Sequence, residues 1–200
     1  MTTIAIVGAG NVGTALGRGF AARGHAVTYG VRDTTDARYA ELPSCATPQV
    51  AVDGADVVIL STPCAAVPDV LRGLTLRDGQ TVIDATNAVR TPPPEGFATM
   101  GDLVAALVPE GVSVVKAFNT IGAEHLGNGQ VGGKPAFLPL AGDEAGAKLA
   151  LGLATDLGFE AVVIGGREQF GVMENFAKLW IQLAFGCGLG RDFGFGILRP

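Results

Sequence analysis

Three glycines, Gly8, Gly10 and Gly13, stand between an apolar run, Ile4-Ala5-Ile6-Val7, and a segment of helical character, Asn11-Val12-Gly13-Thr14-Ala15-Leu16-Gly17. The spacing Gly-x-Gly-x-x-Gly is weak evidence by itself, but a strand before it and a helix after it supply the context in which it binds dinucleotides. Gly8 permits the sharp turn, Gly10 lets the backbone approach a pyrophosphate, and Gly13 lets helix and sheet pack closely. The helix start adds unpaired N–H groups and the positive end of its dipole. The N-terminal turn from Gly8 to Gly13 is therefore expected to hold a nicotinamide dinucleotide.

The rest of the chain repeats this pattern of short apolar runs followed by helical spacing, the signature of βα units on a parallel sheet. Strands are expected at Thr3–Val7, His25–Tyr29, Val57–Ser61, Gln80–Asp84, Val112–Phe118, Ala136–Ala141 and Glu160–Ile164, with helices near Asn11–Arg23, Ala65–Arg72, Glu144–Asp156 and Glu168–Phe185. Between Thr34 and Gly54, Pro43 and Pro48 leave room only for a short helix and a very short or absent strand. Thr91-Pro92-Pro93-Pro94-Glu95-Gly96 reads as a stiff surface loop. The fold class expected is α/β, a Rossmann-type doubly wound and mostly parallel sheet. One domain spans 1–200, with 136–200 as an integral C-terminal α/β extension ending in a long helix. A composition 48% hydrophobic and only 16% charged, with 30 glycines, suits a sheet covered on both faces.

Charge and composition exclude several classes of partner. A net charge of −5 without basic clusters leaves no footprint for nucleic acid or anionic lipid. No signal peptide and no apolar stretch of membrane-spanning length is evident, so the expected location is the cytoplasm. The 3 cysteines, Cys45, Cys64 and Cys187, lack disulfide or zinc spacing and read as small apolar fillers, and no metal ligands are assigned.

The end of the second strand distinguishes the two nicotinamide dinucleotides. An NAD-binding chain usually places an acid there against the ribose 2′-hydroxyl. Here the tip is Thr28-Tyr29-Gly30-Val31-Arg32-Asp33, and Arg32 is placed to pair with a 2′-phosphate. That favours NADP, with Asp33 and Asp36 as carboxylates that must turn away.

Four stretches resemble the coenzyme F420-dependent NADP oxidoreductase family, whose fold recurs in the cytosolic domain of the Steap reductases: Val7 to Gly13, Gly30-Val31-Arg32, Ser61-Thr62-Pro63, and Val115-Lys116-Ala117-Phe118-Asn119-Thr120-Ile121. The last is the most diagnostic, and the likeness reaches Glu174-Asn175 and the glycine-rich ending. The resemblance implies hydride transfer between NADP(H) and a deazaflavin (F420) or flavin. It implies that Ala9, Gly10, Asn11 and Val12 wrap the pyrophosphate, that Val31 and Arg32 meet the 2′-phosphate, that Thr62-Pro63 flanks the nicotinamide, and that Ala123 lies near its amide. Three positions depart from it. NADP-using members tend to carry a hydroxyl where Val31 stands and a further basic residue near Asp36, and the archaeal F420 enzymes carry His where Asn119 stands.

Parallel sheets bind ligands beyond the carboxyl ends of their strands, so the loops Thr62-Pro63-Cys64, Thr86-Asn87 and Asn119-Thr120 should converge on the nicotinamide. Hydride transfer between flat rings needs positioning more than acid or base, so no catalytic residue is assigned. Asn87 is expected at the cofactor, Asn119 and Thr120 at the second ring, and Phe193 or Phe195 in that ring's wall. The apolar final helix, with Phe170, Met173, Ala177, Trp180, Ile181, Ala184 and Phe185 along one side, is expected to face the core or an interface, and the apolar glycine-rich tail from Gly186 to Gly196 is expected to fold over the crevice or a partner subunit, which makes a homodimer the expected assembly. A non-catalytic NAD(P)-binding redox sensor is the alternative reading of the same residues.

Overall fold

The computed structural model describes residues 1–89 and 92–200; Thr91, where the proline-rich loop begins, lies outside them. In chain order the elements are β1 (Thr3–Val7), α1 (Asn11–Ala21), β2 (Ala26–Gly30), β3 (Cys45–Ala46), α2 (Pro48–Asp53), β4 (Val57–Leu60), α3 (Val67–Arg72), β5 (Thr81–Asp84), α4 (Met100–Leu107), β6 (Ser113–Lys116), α5 (Ala123–Leu126), β7 (Gln130–Val131), β8 (Lys134–Pro135), β9 (Phe137–Gly142), α6 (Glu144–Asp156), β10 (Glu160–Val163) and α7 (Phe170–Ile181). Eight strands form one sheet in the order β10-β9-β6-β5-β4-β1-β2-β3, and β7 with β8 forms a separate hairpin. From β3 to β6 the order is that of the Rossmann fold, all parallel, with the reversal between β1 and β4. Strand β9 joins β6 antiparallel and β10 joins β9 parallel, which makes the sheet mixed at one edge.

Side-chain alternation explains why both faces are covered. In β1, Ile4 and Ile6 enter a core shared with Leu16 and Phe20 of α1 and Leu153 and Ala154 of α6. Ala5 and Val7 enter the opposite core, with Val52, Leu71, Leu103 and Phe170 from α2, α3, α4 and α7. All of these strand residues are fully buried, as doubly covered parallel strands must be.

The poorly patterned region and one unforeseen helix follow local rules. Pro48 does not interrupt α2; it starts it, in the first turn, where a missing N–H is harmless and a fixed φ helps. Helix α4 was not expected, yet Thr99-x-x-Asp102 is a capping pair: Thr99 Oγ1 accepts the Asp102 N–H at 3.0 Å and donates to Asp102 Oδ2 at 2.7 Å. Thr99→Ala should lower stability by about 1 kcal/mol, and calorimetric Tm measures it. The final helix also differs from expectation. It ends as regular α-helix at Ile181 and continues as a wider π-type turn over Gln182–Gly186. Phe185 is left 61% exposed instead of in the apolar stripe, and Cys187 is exposed instead of packed.

Candidate functional site

The carboxyl ends of β1, β2 and β4 enclose a cavity of about 280 Å³ lined by Val7 to Gly10, Gly30, Val31, Arg32, Tyr39, Ser61, Thr62 and Pro63 among others. Gly8 sits at φ +106°, a conformation that side chains rarely adopt, and its N–H donates to Gly30 O at 3.1 Å. Ser61 Oγ donates to Gly8 O at 2.8 Å and so ties the turn to β4. A Cβ on Gly13 would run into the Gly8 carbonyl and Ser61 Oγ, whereas a Cβ on Gly10 would meet nothing within 4 Å. Gly10 therefore leaves an open cradle at the start of α1, ahead of the first helical bond, from Thr14 N–H to Gly10 O. The turn fits a dinucleotide on these grounds.

Arg32 is exposed at the rim of this cavity, and among the described residues no carboxylate pairs with it. Its acidic neighbours are engaged elsewhere. Asp33 accepts both the N–H and the hydroxyl of Thr35, at 2.9 and 2.6 Å, and these bonds hold its pKa below the usual carboxylate range. Asp36 is bonded by the Arg38 guanidinium at 2.9 and 2.6 Å, which depresses its pKa in the same way. Val31 lines the cavity, but its side chain is in the core and its N–H donates to Ala46 O. It offers a ligand surface and no free N–H. Tyr39, with Arg38 5.4 Å above its ring, was not anticipated in this wall, because it belongs to an irregular segment with no periodic signal.

A second, open groove runs along the other side of the turn, lined by Ala9, Gly10, Asn11, Thr14, Ala15, Arg18, Ala123 and Glu124. It brings Ala123 close to the glycine turn. Val12 instead packs against the core.

Beneath the ends of β5 and β6 lies a buried charge cluster that the sequence does not disclose. Lys116 and Asp84 are completely buried and Glu174 of α7 is 4% exposed. The Lys116 ammonium donates to Asp84 Oδ2 at 2.6 Å and to Thr86 O at 3.0 Å, and it lies 3.0 Å from Glu174 Oε1 as an ion pair. Asp84 Oδ1 accepts the Thr86 N–H and hydroxyl at 2.9 and 2.7 Å, and Glu174 Oε1 accepts the Met100 N–H at 2.8 Å. The cluster pins the Thr86-Asn87 loop and anchors α7 to the sheet.

Asn87 Nδ2 donates to Asn119 O at 2.7 Å, and Asn119 Nδ2 donates to Asn87 Oδ1 at 2.9 Å. Phe118, just before, adopts φ +61°, which is strained for a non-glycine and is held by edge contacts with Phe20 and a tilted contact with Phe159. Among the described residues, the buried side-chain polar atoms with no hydrogen-bond partner are Thr62 Oγ1, Asn119 Oδ1, Thr120 Oγ1 and His125 Nε2. The first three stand after β4 and β6, at the same edge as the glycine turn.

Phe193 stacks on Trp180 at 5.2 Å, and Trp180 Nε1 donates to Phe193 O at 3.2 Å. Phe195 packs on Phe176 at 4.7 Å, and its carbonyl accepts the Phe137 N–H. The glycine-rich ending is thus strapped along α7 and β9, with Gly194 against Ile121. Neither ring lines the cavity at the glycine turn. The strap is fastened to α5 by Arg191, bidentate to Glu124 at 2.7 and 3.1 Å, which lowers the Glu124 pKa. His125 Nε2 lies 3.0 Å from Asp192 Oδ1, but without hydrogen-bonding geometry.

Comparison with known proteins follows the same lines. The family model for coenzyme F420-dependent NADP oxidoreductases matches residues 3–88. A solved structure from Arthrobacter sp. FB24, of an inferred F420-dependent NADP reductase, is 25% identical with a TM-score of 0.84, covering 100% of both chains. A hypothetical protein of Sinorhizobium meliloti is 30% identical, with a TM-score of 0.72 over 86% of this chain and 88% of that one. A glycerol-3-phosphate dehydrogenase [NAD(P)+] of Nitratidesulfovibrio vulgaris is 26% identical over 98% of this chain, which spans 64% of that relative's length. The reductive aminase of Aspergillus terreus, solved with NADPH, shares the fold at 21% identity and a TM-score of 0.71, covering 94% of this chain and 63% of that one.

Proposed function

Since the chain belongs to the coenzyme F420-dependent NADP oxidoreductase family, we propose that it transfers a hydride between NADP(H) and a flat deazaflavin (F420) or flavin ring. The observation that carries this reading is the set of unpartnered buried groups, Thr62 Oγ1 at the cavity by the glycine turn and Asn119 Oδ1 and Thr120 Oγ1 after β6 at the same carboxyl edge of the sheet. Buried polar atoms are nearly always paired, and ones left open at a strand-end crevice call for ligand atoms.

In this reading the α1 N-terminus and Gly10 hold the pyrophosphate and Arg32 holds the 2′-phosphate. Thr62, Pro63, Asn87 and Ala123 border the nicotinamide, and Asn119 and Thr120 orient the second ring, with Phe193 and Phe195 walling its far side. Bound NADPH supplies the hydride. The chain's own contribution is to stack and orient the rings and to surround them with fixed dipoles. Lys116 is completely buried, donates to Asp84 and Thr86 and is ion-paired with Glu174, so it is not free to protonate a substrate alkoxide. That favours ring-to-ring transfer over an alcohol dehydrogenase.

Among the described residues no helix is long and apolar enough to cross a membrane. We place the protein in the cytoplasm as a homodimer joined through the exposed Val172, Leu179, Phe185 and Leu189; sedimentation at a monomer mass would refute that assembly. Steady-state assays of NADPH with F420, FMN and FAD test the activity. Turnover with at least one ring is expected, and NADPH left unoxidised by all three contradicts it.

A further inference from the structure

We propose that Asn119 Oδ1 accepts an N–H from the redox ligand, that the crevice therefore reads an N–H beside a C=O, and that Asn87 is the positioning residue that sets this polarity. The proposal rests on the oxidoreductase reading of the same crevice. The order of donors and acceptors follows from a single fixed point. The Asn119 backbone carbonyl has no proton to give, so the Asn87 side-chain end 2.7 Å away is its NH2. The other end of that amide is then the oxygen, which lies 2.9 Å from Asn119 and must receive an N–H. The Asn119 NH2 is thereby assigned, and Oδ1 is left on the far side as an acceptor without a donor.

This polarity is held mechanically. The Asn87 loop cannot readily turn over, because Thr86 is bonded through its N–H and hydroxyl to Asp84 and through its carbonyl to Lys116. Asn119 is 6% exposed, and the next residue, Thr120, is 2% exposed with its hydroxyl also unpartnered. An acceptor that cannot reorient and a hydroxyl that can donate together match an amide or imide edge. The same acceptor repels a carboxylate or phosphate oxygen and gains nothing from a methyl group.

Two rings carry such an edge: the nicotinamide, in its carboxamide, and a flavin or deazaflavin, in the imide at N3. Calorimetric binding to the wild-type protein separates them. One arm compares NADP with its 3-acetylpyridine analogue, in which a methyl group replaces the amide NH2. The other compares FMN with N3-methyl FMN. A loss of at least about tenfold is expected in one arm or both, since a site built around a hydrogen bond rejects the analogue that lacks it. The arm that loses identifies the edge that is read.

In Asn87→Ala the Asn119 amide is free to rotate, and the ratio of parent to analogue affinity should collapse toward one. Asn119→Asp, whose carboxylate is an acceptor whichever way it turns, should instead keep a preference for the parent over the methyl analogue. A merely structural role would weaken parent and analogue equally and leave the ratio intact. Equal binding of both methyl analogues to the wild-type protein, or a ratio that survives in Asn87→Ala, overturns the proposal. Because binding is read, discrimination of the edges without any ring being reduced would sink the oxidoreductase reading and leave this one standing.

Discussion

Replacing Lys116 with methionine should destabilise the protein by about 3–5 kcal/mol, the range for removing one member of a buried ion cluster. The ammonium holds two carboxylates, Asp84 and Glu174, and the Thr86 carbonyl, all in residues shut off from solvent. Methionine fills much of the same volume, so the loss is electrostatic: two buried carboxylates would face each other unpaired. For a chain of this size the expected fall in Tm is on the order of 10 °C. Glu174→Gln is the contrasting case. It leaves Lys116 and Asp84 as a neutral pair, and the amide oxygen can still accept from Met100 N–H, so a loss of only about 1 kcal/mol is expected. Thermal and urea unfolding of both variants measures the difference. A Lys116→Met protein as stable as the wild type would show that the cluster does not hold β5, β6 and α7 together.

Arg32→Ala should weaken NADPH binding by about ten- to a hundredfold, the equivalent of roughly 1.5–3 kcal/mol for hydrogen bonds to a charged group, and should leave NADH unchanged. Arg32 is exposed at the cavity rim. Asp33 and Asp36, which could have neutralised it, are taken by Thr35 and Arg38. Folding should be unaffected, because among the described residues Arg32 enters no ion pair. Fluorescence titration of both nucleotides checks this. Equal losses for NADPH and NADH would refute a 2′-phosphate contact and return Arg32 to the role of a solvated surface charge.

The parts legible in the sequence are those in which local chemistry and global fold agree. Ile4 to Val7 before the glycines and Asn11 after them identify β1, the turn and α1 without reference to the rest of the chain, and the short apolar runs place β4, β5 and β6 to within a residue or two. Legibility fails where a role is defined by a distant partner. Asp84 and Glu174 are 90 residues apart in sequence, and only the sheet order and the docking of α7 bring both to Lys116. The amide pairing of Asn87 with Asn119 depends on β5 lying beside β6. Pro48 was misleading because proline breaks a helix interior but favours its first turn. Helix α4 was signalled by Thr99 and Asp102, a cap overlooked beside a proline-rich loop.

The ending shows the same limit. Its glycines and phenylalanines announce a segment that must pack on something, but the partners, Trp180 for Phe193 and Phe176 for Phe195, are set by tertiary contact. As strapped, the phenylalanines stand outside the cavity that the glycine turn shapes. Their part in the wall of a second ring depends on that ring lying beyond Asn119 and Thr120, next to Ile121.

Hydride transfer itself is tested most directly by rapid mixing of the protein, loaded with NADPH carrying deuterium at C4, against F420, FMN and FAD in turn, with nicotinamide and ring absorbance followed together. One ring should lose its oxidised absorbance in step with the loss of NADPH, in a single phase that is slower than with unlabelled NADPH. Tight binding of NADPH without oxidation by any of the three rings would contradict the account and make the protein a sensor of its nucleotide.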